Sequence, residues 1–282
     1  MPAVAERLKA YAIKATREAI VHTRWTKPNE PHERALQLFI AAILKSSDKN
    51  AFLADFIGFE GRVAYFGMVN SLAQTLLKIV SPGCPDFYQG SELWDLRLVD
   101  PDNRQPVDFT LRKDLLNSVK QASGKPSTTF LEDLARNWKD ARIKLYLTWK
   151  VLNFRREHAD LFSKGTFMEL KAAGNRNENV VAFARQFQKQ WTVAVVPRWL
   201  ARANYRPESS TAAGFWSNTE IRLPASAPES WNNILTGEAL SAGGKRRKTL
   251  RVSELLQRFP IALLSGSGTS KRSQKKRKSR KK

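Results

Sequence analysis

The chain has 282 residues, 42% of them hydrophobic and 10% aromatic, which is enough to bury a core and too apolar for a disordered chain. Its net charge of +22 is uneven: the closing SKRSQKKRKSRKK holds nine Lys or Arg and no acid, and taking nine from +22 leaves +13 for the body. One cysteine and three histidines exclude a disulfide framework and zinc-finger spacing, and the sequence calls for no metal or cofactor. The opening MPAVAERLKAYAIKATREAI has no signal-type apolar run, and no stretch reads as the ~18 apolar residues of a membrane span. The expectation is a soluble cytoplasmic protein with no membrane partner.

Helical spacing predicts a first helix over 5–20, with Leu8, Ala12, Ala15 and Ala19 on one face. Pro28 and Pro31 break it, and a second helix follows over 32–46 through Ala35, Leu38, Phe39, Ala42 and Ile43. A long helix is expected over 51–79, interrupted near Gly58, with GMVNSLAQTLLKIV apolar on several faces and therefore buried. SPGCPDFYQG reads as a buried strand over 85–88, with Cys84 as a small buried residue beside it. The loop that follows is rich in acids, Arg and aromatic residues, and long irregular loops in folded domains usually carry function. Helices are expected again over 111–121, 128–136 and 138–158. Beyond about residue 160 the pattern turns to period two, with strands at GTFMELKA, NVVAFARQF, WTVAVVPRW, TEIRLP, SWNNILTGEAL and RFPIALL. Residues 161–266 are thus expected to form an antiparallel β-domain, and 267–282 a low-complexity basic tail.

The stretch 80–109, VSPGCPDFYQGSELWDLRLVDPDNRQPVDF, joins a PG-P-x-x-Y-x-G-x-E string to DPDNR-x-P. It resembles the end of the catalytic barrel of the α-amylase superfamily, and in its combined form the maltooligosyl trehalose synthase branch. IKATREAIVHTRWTKPNE, RVAYFGMVNSLAQTLLKI, ARIKLYLTWKVLNFRRE, VVAFAR and WNNILTGE resemble further C-terminal blocks of that family, in order. The resemblance implies an α+β chain: residues 1–160 as the C-terminal part of a (β/α)8 barrel, its last strand plus helices, then the β-domain. It implies an α-1,4-glucan, or maltooligosaccharide, as substrate.

Sugar sites combine acids and Arg for hydroxyls with aromatic platforms for ring faces. The loop after the expected strand supplies Tyr88, Glu92, Trp94, Asp102 and Arg104, and the Pro-rich HTRW loop supplies His22. The resemblance implies that Arg104 lies at the subsite of the reacting glucose, paired with an Asp from an early barrel loop. The plainer reading of Arg104 is an ion pair with Asp100 or Asp102, and that of Asp100 and Asp102 is bracing of the turn. The family's reaction proceeds with retention, which needs a nucleophilic carboxylate and a second acid/base carboxyl about 5–5.5 Å apart. The family blocks that carry these, including an HDTKRSED-like string, do not occur in these 282 residues. No catalytic residue is therefore assigned, and a separate N-terminal barrel chain is an expected partner.

Two other readings compete. Trp191, Trp199, Trp216 and Trp231 could supply the stacking platform of a noncatalytic carbohydrate-binding module. The basic tail could bind nucleic acid or other polyanions nonspecifically. Binding of DNA by the whole chain, read by fluorescence anisotropy, is expected to fall steeply with salt and to vanish when residues 268–282 are removed.

Overall fold

The computed structural model describes residues 2–124, 128–207, 212–244 and 247–268. Residues 269–282 of the basic tail, with Lys245 and Arg246, lie outside them, whereas Ser267, expected as the tail's first residue, ends a strand. Helices fill the chain to Lys164: α1 (Pro2–Ala19), α2 (Glu30–Ile43), α3 (Ala51–Val80), α4 (Phe109–Ala122), α5 (Thr128–Arg136), α6 (Arg142–Glu157) and α7 (Ala159–Lys164). Strands follow: β1 (Thr166–Leu170), β2 (Ala172–Ala173), β3 (Val180–Phe187), β4 (Gln190–Pro197), β5 (Glu220–Arg222), β6 (Ser230–Asn233), β7 (Ala239–Ser241), β8 (Thr249–Arg251) and β9 (Ala262–Ser267). Two short helices, α8 (Ala212–Trp216) and α9 (Val252–Leu255), sit among them. The chain is mixed helix and antiparallel sheet, as the change of period near 160 implies.

The structure departs from four of these expectations. Residues 85–88 form no strand, and Cys84 is exposed. A strand is held by ladder bonds from neighbours, and this segment has none here, so its apolar run remains irregular. The interruption expected at Gly58 is also absent; α3 is continuous. By length and composition alone α3 qualifies as long enough to cross a membrane, contrary to the reading above, although 44% of its most apolar window is buried within the protein.

The fold divides into two compact units. The first comprises the chain to Gly67 and Trp94–Asp108. Its core is small, with Ile40 and Leu53 as its buried large hydrophobic side chains among the described residues. Leu38, Phe39, Phe52, Phe56, Ile57, Phe59 and Val63 of α2 and α3 are all exposed. A patch of this kind on a folded unit marks a surface that is normally covered.

The second unit comprises Met68–Leu93 and the chain from Phe109 onward. The end of α3 is buried through Met68, Val69, Leu72, Leu76, Ile79 and Val80, as its all-round apolarity predicts. One sheet runs β1-β3-β4-β9-β6-β7 and a smaller one β2-β5-β8. β4 is buried at every position from Trp191 to Pro197, not at alternate ones. Both faces of this central strand are covered, which explains its unbroken WTVAVVP run.

Helix α6 buries Ile143, Tyr146, Leu147, Val151 and Phe154 at helical spacing. The Tyr146 hydroxyl donates to Leu235 O at 2.6 Å, and its ring meets Phe130 and Phe259 edge-on. Desolvation raises the Tyr146 pKa, so the phenol stays a donor. Leu235 belongs to WNNILTGE, a tight turn closed by Gly237 N to Asn233 O at 2.7 Å. That block is therefore a structural clamp between α6 and the sheet.

Arg185 on β3 is 2% exposed and has no carboxylate partner among the described residues. Its guanidinium donates to Phe162 O at 2.8 Å, Gly165 O at 3.1 Å and Val80 O at 3.4 Å. These are the closing carbonyls of α7 and α3, where the helix dipole is negative. Replacing Arg185 with Met is expected to lower stability by about 1–3 kcal/mol, because buried carbonyls lose their donors. The shift in urea midpoint at constant slope measures it.

Candidate functional site

In the second unit, the segment after α3 is held by basic side chains from the helices. Arg155 Nη2 donates to Gly83 O at 2.6 Å, and Lys78 Nζ lies 3.8 Å from the Phe87 ring centroid. Lys144 Nζ donates to Leu93 O at 3.0 Å. Gly90 adopts φ 93°, a conformation that favours glycine, and its N–H donates to Glu92 Oε2 at 3.0 Å. Arg112 on α4 closes the turn: Nε reaches Glu92 Oε2 at 3.0 Å and Nη2 reaches Gly90 O at 2.8 Å. Glu92 is thus anchored on one oxygen while 32% of its side chain stays exposed. Tyr88 is 78% exposed, and its carbonyl accepts from Ser91 Oγ at 2.6 Å. Its ring is free of the core and available as a platform.

In the first unit, Asp102 is gripped by Arg7 of α1. Arg7 Nε meets Oδ1 at 2.9 Å and Nη2 meets Oδ2 at 2.7 Å, while Leu98 N donates to Oδ2 at 2.6 Å. Hydrogen bonds from Arg7 and then from Leu98 N hold the Asp102 carboxyl below its ordinary range. An acid held ionised in this way is a poor proton donor. Arg97 forks onto Asp95 at 2.7 and 2.6 Å and also donates to the carbonyl of Asn103. Arg104 pairs with Asp100, whose carbonyl accepts from Lys14 Nζ at 2.7 Å. The Arg104 side chain is nevertheless 74% exposed. Trp94 is half-buried.

His22 is exposed, and its ring centroid lies 5.0 Å from that of His32. Beneath it, Arg17 forks onto Glu33 at 2.8 and 2.6 Å, and Thr23 Oγ1 donates to Glu33 at 2.6 Å. Asn29 caps α2 by accepting from His32 N. The HTRW loop is therefore built around a part-buried ion pair, with the Arg17 guanidinium 4.9 Å from the Trp25 ring centroid.

Within the first unit the structure gathers Asp102 and Arg104 on one turn, and within the second Tyr88 and Glu92. The sequence reading missed Arg7 and Arg112, which fix two of these acids from 95 and 20 residues away. No local pattern signals either. No group of three His, Cys, Asp or Glu side chains suited to a metal ion occurs among the described residues. Of the four β-domain tryptophans, Trp191, Trp216 and Trp231 are core, at 2–3% exposure. Only Trp199 is exposed, and Arg198 lies over it at 4.1 Å. Of the four positions offered for a stacking platform, three are core and Trp199 alone presents its ring at the surface.

No family model matches the chain. Over 258 residues, 92% of its length, it is 31% identical to a curated Mycobacterium tuberculosis protein (strain CDC 1551 / Oshkosh) that bears the name maltooligosyl trehalose synthase. The maltooligosyltrehalose synthase of Arthrobacter ramosus superposes with a TM-score of 0.71 at 29% identity, covering 94% of this chain. The chain is a homologue of part of the maltooligosyl trehalose synthases. A Sulfolobus tokodaii structure described as a hypothetical maltooligosyl trehalose synthase agrees, with a TM-score of 0.64, 27% identity and 93% of this chain covered. The chain spans 28% of the length of the curated relative and 30% of the Arthrobacter chain. The resemblance read from residues 80–109 is borne out.

The Glu33 cluster gives a pH signature. Hydrogen bonds from Arg17 and Thr23 hold the Glu33 carboxyl at about 2, against an ordinary value of 4.5. A depressed pKa contributes stability above the unfolded value and loses it as pH falls through the folded one. Urea midpoints of the native chain are expected to fall relative to Glu33→Gln between about pH 5 and pH 2, with the difference constant above that range.

Proposed function

We propose that the chain is the C-terminal part of a (1→4)-α-D-glucan 1-α-D-glucosylmutase. Such an enzyme rearranges the reducing-end α-1,4 bond of a maltooligosaccharide to α,α-1,1, an isomerase step of trehalose biosynthesis in carbohydrate metabolism. The observation that carries this is the match to the maltooligosyl trehalose synthases over nearly the whole chain, in sequence and in fold. On this reading residues 1–160 complete a (β/α)8 barrel of the α-amylase superfamily, residues 161–266 form the appended β-domain, and the protein works in the cytoplasm.

The nucleophile and the acid/base come from sequence outside these residues. The acids anchored here suit binding better than proton transfer: Asp102 is locked ionised by Arg7, and Glu92 is tethered by Arg112. Arg104, exposed beside Asp100, is the group that exchanges a loop partner for a sugar-site carboxylate. Tyr88 and Trp94 offer ring faces, Glu92 and Asp102 accept sugar hydroxyls, and His22 borders the cleft. The exposed apolar face of α2 and the first half of α3 packs against the rest of the enzyme, on the same polypeptide or a separate one.

The test supplies the chain with the part of the Arthrobacter ramosus enzyme outside the matched 30%. Once gel filtration shows a complex, reducing ends of maltohexaose are expected to disappear with the mixture and to persist with the chain alone. A complex that leaves every reducing end intact overturns the reading. Within an active complex, Arg104→Ala is expected to lower kcat/KM at least tenfold, about 1.4 kcal/mol, with urea stability unchanged.

A further inference from the structure

The small sheet β2-β5-β8 carries a cleft that the glucan chemistry leaves unused. Ile221 and Leu250, paired in register, are buried, so their neighbours on β5 and β8 point to the opposite face. That face bears Arg222 opposite Thr249, and Glu220 opposite Arg251. Directly opposed side chains sit about 5 Å apart at Cβ, and diagonal ones about 7 Å. Gly243 and Thr249 exchange backbone bonds at 2.9 and 2.8 Å, and Arg247, two residues before β8, joins the lining. Together these residues line an open cleft of about 700 Å³, completed by Ser241 and Glu254.

The charges are sorted along the cleft. Arg251 stands opposite Glu220 in the ladder and lies 3.6 Å from Glu254, so carboxylates flank it. Arg222 and Arg247 have no carboxylate partner among the described residues. One end is thus two guanidiniums beside a hydroxyl, suited to the oxygens of a phosphate. The other end sets Glu220 and Glu254 around Arg251, and carboxylate oxygens accept hydrogen bonds from hydroxyls. Among the described residues no aromatic side chain lines the cleft, which argues against a neutral glucan stacked on ring faces. The volume falls within the range of small-molecule sites.

We propose that this cleft binds a phosphorylated sugar, with the phosphate on Arg222 and Arg247 and the hydroxyls on Glu220 and Glu254. The site belongs to the β-domain and is independent of the glucan chemistry.

The test is calorimetric titration of the whole chain, basic tail included, with glucose 6-phosphate, inorganic phosphate and glucose. Glucose 6-phosphate is expected to bind more tightly than phosphate, and glucose not at all. Arg222→Ala with Arg247→Ala is expected to weaken glucose 6-phosphate at least tenfold. Glu220→Gln with Glu254→Gln is expected to remove the preference over phosphate while leaving phosphate binding in place. Thermal melts of both double variants within a few degrees of the native chain establish that the fold is intact. Binding that survives the double Arg substitution comes from the tail or elsewhere and overturns the proposal. So does an absence of binding by glucose 6-phosphate, or equal affinity for sugar phosphate and free phosphate.

Discussion

A guanidinium sealed inside an apolar core is the constraint on which the second unit depends. Arg185 cannot shed its charge at ordinary pH, although desolvation and then the nearby Arg155 pull its pKa down. With no carboxylate partner among the described residues, its compensation comes from backbone carbonyls. Those carbonyls can only be supplied if α3 and α7 both end against β3. One side chain therefore fixes where two helices stop, and a helix end without donors is costly in the same place. Arg155 repeats the device one layer out, donating to Ile79 O and Gly83 O at the exit of α3.

The same logic, arginine onto loop, shapes the segment that carries the family resemblance. Residues 81–108 contain no strand and little helix, so their backbone groups need partners from side chains. Arg112 closes the Gly90–Glu92 turn in one unit, and Arg7, Arg97 and Lys14 brace the Asp95–Arg104 stretch in the other. The acids of DPDNR are thus largely spent on loop geometry. Arg104 is the exception in exposure, since its ion-pair partner, Asp100, lies on the same turn. A loop held this firmly has little conformational entropy left to lose.

Helices were legible because their apolar spacing repeats over many turns: α6 and the end of α3 lie where the pattern puts them. The strand expected at 85–88 shows the opposite case. Its composition is strand-like, but strand formation depends on neighbours that a local pattern does not contain. Cys84 followed the same error. The tryptophans were ambiguous for a related reason: Trp191, Trp216, Trp231 and exposed Trp199 are all large enough to serve a core or a ligand, and only burial distinguishes the two.

Sequence alone determined the helix-to-sheet order, the uneven charge and the family, because ordered motifs and periodicity are local and survive without coordinates. The pairing of Arg7 with Asp102, the hold of Arg112 on Glu92 and the sorting of charge across β5 and β8 belonged to the tertiary structure. Each joins residues far apart in the chain, and a contact between distant residues is fixed by how the elements pack.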